Sequence, residues 1–305
     1  MTHTLSEYSL TRLPEAGQES LGGKGSGGWD LHCHTVFSDG TVDPQGLVDS
    51  ALRLGLGGVA ITDHDTAQGW PEAGQAARSA DFPVLPGTEI TTDDQGVSVH
   101  LLGYGYDPGD HALARLFTQT RQARLERART MVDAIGRDYP IDWGSVLAQV
   151  KEGGRTTVGR PHIADALVAA GVYRTRSEAF EGVCSTRSPY YIPTPSPTTA
   201  QAVVAVKAAG GVTVVAHPAA VKRNKALLSD ARIERLAELG LDGLEVWHRD
   251  NPPRQRVHLS GLAGRLGLLV TGGSDWHGAG KPNRLGEYTT PLATVETIIA
   301  RSALA

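Results

Sequence analysis

The 305-residue sequence predicts an α/β fold, a seven-stranded (β/α) barrel interrupted by a helical insertion. Three observations predict it. From Trp29 onward, short apolar runs of β type alternate with longer amphipathic ones, the pattern of βα units. Histidines and acidic residues cluster at or near the ends of the short runs. One Arg-rich, helical stretch breaks the alternation once. A barrel of this kind gathers its strand ends at one face, so residues far apart in sequence can build a single site there.

Strands are expected over 29–34, 57–62, 83–90, 97–104, 211–217, 243–248 and 268–274, and helices over 43–55, 67–80, 198–209, 229–239 and 253–266. Nearly every strand is followed by a helix, as a barrel requires, although the barrel need not close completely. Residues 1–28 are polar and end in a glycine-rich run, the composition of a flexible extension. The barrel is assigned to 29–106 and 190–305, and the helical insertion to 107–189. In the insertion, 110–137 reads as one long helix, followed by shorter helices near 143–151, 161–170 and 176–182. Leu113, Leu116, Phe117, Leu125, Met131, Val132 and Ile135 keep helical spacing, so one side of the long helix packs on a core. Its arginines, Arg115, Arg121, Arg124, Arg127 and Arg129, read as a solvated face, with a phosphate-contacting lid as the sharper alternative. The prolines of 190–197 mark an extended return to the barrel.

Hydrophobic residues make up 40% and charged residues 20%, ordinary for a soluble enzyme, and the formal charge is -4. That charge argues against a general nucleic-acid coat protein but leaves room for a local basic pocket. No apolar run approaches the roughly 18 residues of a membrane span, and the N-terminus lacks a signal-peptide pattern. A cytoplasmic protein without membrane contact or an obligate protein partner is expected. Cys33 and Cys184 are too few for a disulfide framework. Cys33 sits between two strand histidines and faces the other way, into the core; Cys184 falls in a polar loop.

His32 and His34 are two apart, so on a strand they share a face. Asp39 follows on the next turn. The run Gly58 to Ile61 leads into Asp63-His64-Asp65, and a core strand has no packing reason to end in buried charge unless that charge is paired or metal-bound. His64 is the ligand candidate there, with Asp63 or Asp65 orienting an imidazole. Glu89 ends another run and suits a bridge between two cations. His100 lies within a strand, and His217 ends the next. The last strand delivers Asp275 and His277 together after paired glycines. Imidazole and carboxylate without thiolate suit zinc, manganese or iron. Closely spaced cations lower the pKa of a bridging water to give hydroxide and offset phosphate charge.

In this ordered set, His32-x-His34 with Asp39, Thr62 to Asp65, Glu89, His100, His217-Pro218 and Ser274-Asp275-x-His277, the chain resembles the PHP (polymerase and histidinol phosphatase) family over about 29–280. It is most similar to the stand-alone bacterial phosphoesterases with an inserted helical domain, which act on nucleoside 3′,5′-bisphosphates or trim short RNA from the 5′ end. The resemblance implies a distorted seven-stranded barrel with three divalent metal ions. The first would take His32, His34, Glu89 and Asp275. The second would take Asp39, His64 and His277, and the third Glu89, His100 and His217.

On the substrate side, Arg160 in Gly159-Arg160-Pro161-His162 opens a helix and could grip phosphate, with His162 as a second contact. His248, at the end of the sixth strand, holds no metal in this scheme and could protonate the leaving oxygen. Arg223, with Lys222, follows His217-Pro218 and could add a phosphate contact. Trp247 and Trp276 are expected to pack at the barrel rim rather than stack on a base, and His3, His111 and His258 look incidental. The function expected is phosphoester hydrolysis on a nucleotide or short RNA. An amidohydrolase-type metal enzyme is the alternative, weakened because no lysine sits at a strand end. A non-catalytic PHP interaction module would need missing ligands, and none is missing.

Overall fold

The computed structural model describes residues 27–221 and 226–305. Most of the expected N-terminal extension, including His3, lies outside them, as do Lys222 and Arg223. Seven strands form one sheet in sequence order: β1 (Trp29–Cys33), β2 (Gly58–Ile61), β3 (Val84–Asp94), β4 (Val97–Tyr104), β5 (Val212–Val215), β6 (Gly243–Trp247) and β7 (Leu269–Gly272). All neighbouring pairs are parallel except the two that β4 makes with β3 and β5. The reason is local. The run Asp93 to Gly96 makes a tight turn, with Gly96 N–H donating to the Asp93 carboxylate at 2.8 Å, so β3 and β4 form a hairpin. Strand β4 therefore enters the barrel from the face where the other strands leave it. His100 thus reaches the site from within its strand, paired with Thr91, while His32 is the last residue but one of β1 and His34, His64, His217, His248 and His277 follow their strands.

Between β1 and β7 the barrel is stitched by isolated contacts. His34 N–H donates to Trp276 C=O at 2.9 Å and Trp276 N–H to His32 C=O at 3.2 Å, while Trp29 and Thr290 exchange backbone bonds of 2.9 and 2.7 Å.

Helices α1 (Pro44–Arg53), α2 (Trp70–Ala80), α7 (Thr199–Ala208), α8 (Asp230–Glu238) and α9 (Pro253–Leu266) stand where expected. Asp43 caps α1 by accepting from Gly46 N–H at 2.7 Å, and Thr198 with Gln201 forms a capping box on α7. Their apolar faces and the outward strand residues, Cys33 among them, make the outer core. A further helix, α10 (Leu292–Ala300), was not expected from the sequence. It places Val295, Ile298 and Ile299 against Trp29, Leu31, Leu85, Leu102 and Val214 in a second apolar cluster built from barrel strands.

Between β4 and β5 lie α3 (His111–Ile135), α4 (Trp143–Leu147), α5 (Arg160–Ala169) and α6 (Arg176–Glu181). They enclose a third core of their own, centred on Met131, Val132, Ile135, Val146, Ile163 and Leu167. Cys184 lies in the turn after α6, as expected, but its side chain is buried in this core, and both cysteines are free. The arginines of α3 also depart from a solvated face. Arg115 and Arg129 are exposed, but Arg124 is largely buried and Arg127 is buried. Among the described residues no helix is long and apolar enough to cross a membrane.

Candidate metal centre

The strand ends converge on Glu89. One carboxylate oxygen of Glu89 lies 3.0 Å from His34 Nε2, 3.2 Å from His32 Nε2 and 3.3 Å from His64 Nδ1. The other lies 2.6 Å from His100 Nδ1 and 3.2 Å from His217 Nε2. Asp39 and Asp275 flank this hub. Asp39 Oδ1 is 3.0 Å from His277 Nε2 and 3.9 Å from His64 Nε2, while Asp275 Oδ1 is 3.3 Å from His34 Nε2 and 3.6 Å from His32 Nε2. All these residues are buried except His100, whose side chain is 22% exposed. Three of the turns that feed the centre carry a non-glycine residue in the left-handed region, Asp65 (φ 53°), His217 (φ 31°) and Asp275 (φ 55°). Such strain costs about 1–3 kcal/mol each and persists only where the surroundings impose it.

The donor set fits divalent cations. Donor atoms of His32, His34, Glu89 and Asp275 lie within 4.8 Å of one another, as do those of His34, Asp39, His64 and His277, and those of His64, Glu89 and His100. The first group is the first-metal set that the resemblance implies. The second contains the second-metal set with His34 added. In the third, His64 rather than His217 completes the compact group, although His217 reaches the same Glu89 oxygen as His100. Five buried atoms aimed into this space, His32 Nε2, His34 Nε2, Asp39 Oδ1, His64 Nδ1 and His277 Nε2, make no hydrogen bond among the described residues. They face one another only as ion pairs; burial without a hydrogen bond is costly, and a cation would satisfy them together.

Hydrogen bonds behind the centre set the tautomers this requires. His32 Nδ1 donates to the Glu245 carboxylate at 3.0 Å, and His277 Nδ1 donates to Asp275 C=O at 2.8 Å. His34 Nδ1 meets Ser38 Oγ at 3.3 Å, and that hydroxyl donates to Asp63 at 2.6 Å. In its neutral form each presents an Nε2 lone pair inward. His248 is the opposite case. Asp250 N–H donates to its Nδ1 at 3.0 Å, so in its neutral form the proton sits on Nε2, and its donor atoms group with those of His32 and Glu245. Its ring lies 5.2 Å from that of His217 and 6.2 Å from that of His32.

Electrostatics divide the imidazoles. Burial opposes charge on His34, but Asp275, Glu89 and Asp39 outweigh it and raise its pKa to about 9. Burial lowers His277 to about 4 against the pull of Asp39. For Glu89, burial pushes the carboxyl up, yet His100, His32 and His64 hold it well below its usual range.

Several contributors escaped the sequence reading. Glu245, in the middle of β6, accepts from both His32 and His217 N–H, the latter at 2.8 Å. Its signal was one charged residue inside an apolar strand. Gly273 makes room for it, since a Cβ there would lie 2.7 Å from Glu245 Oε1 and overlap His32. Asp30 accepts from Ser274 N–H at 2.9 Å and Gly286 N–H at 2.8 Å, tying the Asp275 turn to β1. Lys281 reaches Asp275 at 3.0 Å from the loop after β7, so a lysine does approach the centre although none stands at a strand end. Asp63 orients His34 only through Ser38, and Asp65 holds no imidazole. It pairs instead with Arg124 Nε at 2.8 Å and with Thr91 N–H at 2.7 Å.

The insertion brings its own candidates to this face. His162 is buried, accepts Gly159 N–H on Nδ1 at 3.2 Å, and lies near enough for the Asp39 charge to act on it; burial nonetheless lowers its pKa. Arg160 stacks between Phe180 and Tyr191 with its guanidinium 5.3 and 5.2 Å from the ring centres and donates to Cys184 C=O at 3.1 Å. Arg127 lies over the same Tyr191 ring at 5.3 Å and donates to Ile192 C=O. Burial, reinforced by Arg160, lowers Arg127 to about 9. Trp276 is partly buried against the outer core, whereas Trp247 is 44% exposed at the rim. His111 is exposed and His258 pairs with Asp230 at 2.8 Å; neither meets the centre.

The PHP domain matches residues 30–141. A 5′-3′ exoribonuclease (Rnm) of Salmonella typhimurium is 30% identical over 252 residues, 82% of this chain and 85% of the relative. A 3′,5′-nucleoside bisphosphate phosphatase of Chromobacterium violaceum is 30% identical over 269 residues, 87% of this chain and 93% of the relative. A crystal structure from Bifidobacterium adolescentis, assigned as a metal-dependent phosphoesterase, superposes with TM-score 0.90 at 57% identity, covering 92% of this chain and 98% of that one. A near-closed barrel with a buried knot of imidazoles and carboxylates, in this company, defines a metal-dependent phosphoesterase, a hydrolase of phosphoric esters. The chain belongs to the PHP family.

Proposed function

We propose that the chain hydrolyses nucleotide phosphate esters, either a nucleoside 3′,5′-bisphosphate or the 5′ end of a short RNA, at a centre of three divalent ions (manganese, zinc or iron). The reading rests chiefly on Glu89, whose two oxygens are shared among five imidazoles from four separate segments. The first ion would be held by His32, His34, Glu89 and Asp275, the second by Asp39, His64 and His277, and the third by Glu89 and His100 with His217. When bound, such ions acidify water and offset phosphate charge.

The protein's own groups supply the rest. His248 presents Nε2–H and can hydrogen-bond the reacting phosphate or protonate the departing oxygen. Arg124 is fixed beside His64 by Asp65 and Thr91. Arg127 is buried and Arg160 half-buried on carbonyls and rings, and among the described residues neither pairs with a carboxylate. That excess of largely enclosed positive charge suits a second phosphate, next to the one being cleaved. His162 contributes an Nε2–H on the same side. A bisphosphate and an RNA 5′ end both present two neighbouring phosphates, which is why the two substrates belong together. Arg223 remains a candidate contact, and the cytoplasm is the proposed setting.

The test is to incubate manganese-loaded protein with adenosine 3′,5′-bisphosphate and with 5′-phosphorylated RNA, using Asp275→Ala as the control. Release of phosphate or mononucleotide by the wild type alone is expected, and the faster substrate names the activity. No turnover of either with manganese, zinc or iron overturns the nucleotide assignment.

A further inference from the structure

The loop after β1 carries Asp39, and the insertion holds that loop along its length. Thr156 Oγ1 donates to Val36 C=O at 2.9 Å and Thr157 N–H to Phe37 C=O at 2.9 Å. Arg176 donates to Asp39 C=O at 2.7 Å, and Lys151 Nζ to Thr41 C=O at 2.6 Å. Four carbonyls between Val36 and Thr41 are thus taken by donors from one other unit of the fold. The loop is not self-sufficient, since its inner bonds run mainly from Ser38 and Gly40 N–H back to Thr35 C=O.

Arg176 differs from the other three donors because it acts at the candidate ligand itself. Its guanidinium is clamped by Asp165 through Nε at 2.7 Å and a second nitrogen at 2.5 Å, and only the remaining nitrogen turns to Asp39. Its side chain is 10% exposed. A Cβ at Gly280 would overlap the guanidinium, so the arginine also fills the seam beside the loop that follows His277. That loop is joined to the Asp39 loop by Thr41 N–H to His277 C=O at 3.1 Å and Ala279 N–H to Thr41 Oγ1 at 2.8 Å. One side chain from the insertion therefore braces the two loops that supply Asp39 and His277.

We infer that Arg176 is a positioning residue for the Asp39, His64 and His277 site, and that through it the helical insertion sets how tightly that site binds its cation. The inference rests on the metal centre proposed above. A planar fork held bidentately by Asp165 has little freedom to follow a moving loop, so Asp39 is held where its Oδ1 meets His277 Nε2. Groups that orient metal ligands from behind typically cost about 10–100-fold in metal affinity when removed. The other cation groups should be spared, because the guanidinium of Arg176 bonds to Asp165 and to Asp39 C=O, on the side of this site.

The test uses Arg176→Gln and, independently, Gly280→Ala, which adds a methyl where the guanidinium lies and leaves the arginine in the sequence. Chelator-stripped protein is titrated with Mn²⁺, bound metal is counted by elemental analysis, and folding is checked by circular dichroism. In both variants one class of sites is expected to weaken by about 10–100-fold while the others keep wild-type affinity, with excess Mn²⁺ restoring the full count. Wild-type affinity for every ion in either folded variant overturns the inference. So does equal weakening of all sites together with a lost helical signal, which would make Arg176 merely part of the insertion's fold. A wild-type protein that binds no Mn²⁺, Zn²⁺ or Fe²⁺ would instead defeat the metal centre on which the inference stands.

Discussion

At the scale of single residues, Glu245 shows how much of the centre is built behind the candidate ligands. Its carboxylate accepts two N–H groups, one from the His32 ring at 3.0 Å and one from the His217 backbone at 2.8 Å. Glutamine offers one acceptor and one donor, so one of those contacts would turn donor against donor. Glu245→Gln is expected to weaken metal binding by about 10–100-fold, read by competition with a chromophoric chelator, while the melting profile stays cooperative. Unchanged affinity would mean that His32 is oriented by packing alone. The candidate ligands were legible because each follows or occupies an apolar run, where a buried charge has no other purpose. Glu245 and Asp30 were less so, since nothing local tells whether a mid-strand carboxylate faces a partner or solvent. The arginines of α3 misled for a related reason. A charge on a long helix is usually solvated, and only the fold of the insertion places Arg124 and Arg127 against the barrel and the return segment.

Among the elements, all seven strands and the helices of the insertion were legible from periodicity and length, within a residue or two except where β3 runs on into its hairpin and α4 stops short. What was not legible is α10. Thr294, Val295, Thr297, Ile298 and Ile299 are β-branched, and such residues lower local helix propensity. The helix forms because its apolar side is buried, with Val295 and Ile298 fully enclosed among Trp29, Leu31, Leu102 and Val214. Tertiary burial overrides propensity here. Ile298→Ala should therefore cost roughly 2–5 kcal/mol of stability, measured by urea unfolding. Turnover should not change, because the residue shares no contact with the centre. A loss of turnover without a loss of stability would contradict this division between a packed end and a reactive end.

For the whole molecule, the centre couples stability to metal content. It buries Asp39, Glu89, Asp275 and Glu245 with His32, His34, His64, His217 and His277 in one small volume, at the meeting point of every strand. In the metal-free protein a proton must hold part of this charge together, as the raised pKa of His34, about 9, indicates. Cations bind the folded arrangement and not the unfolded chain, in which these ligands are scattered from residue 32 to residue 277. Metal at about 1,000 times its dissociation constant then stabilises by roughly 4 kcal/mol, on the order of 10 °C in Tm for a chain of this size. The effect has to weaken as pH falls, because a proton on His34 must leave before a cation can take its place. Calorimetry of the same preparation with excess Mn²⁺ and with EDTA should show the metal-loaded protein melting higher, by more at pH 9 than at pH 6. Coincident melts at both pH values would mean that the imidazoles and carboxylates stabilise one another without an ion, and the case for a resident metal cluster would fail.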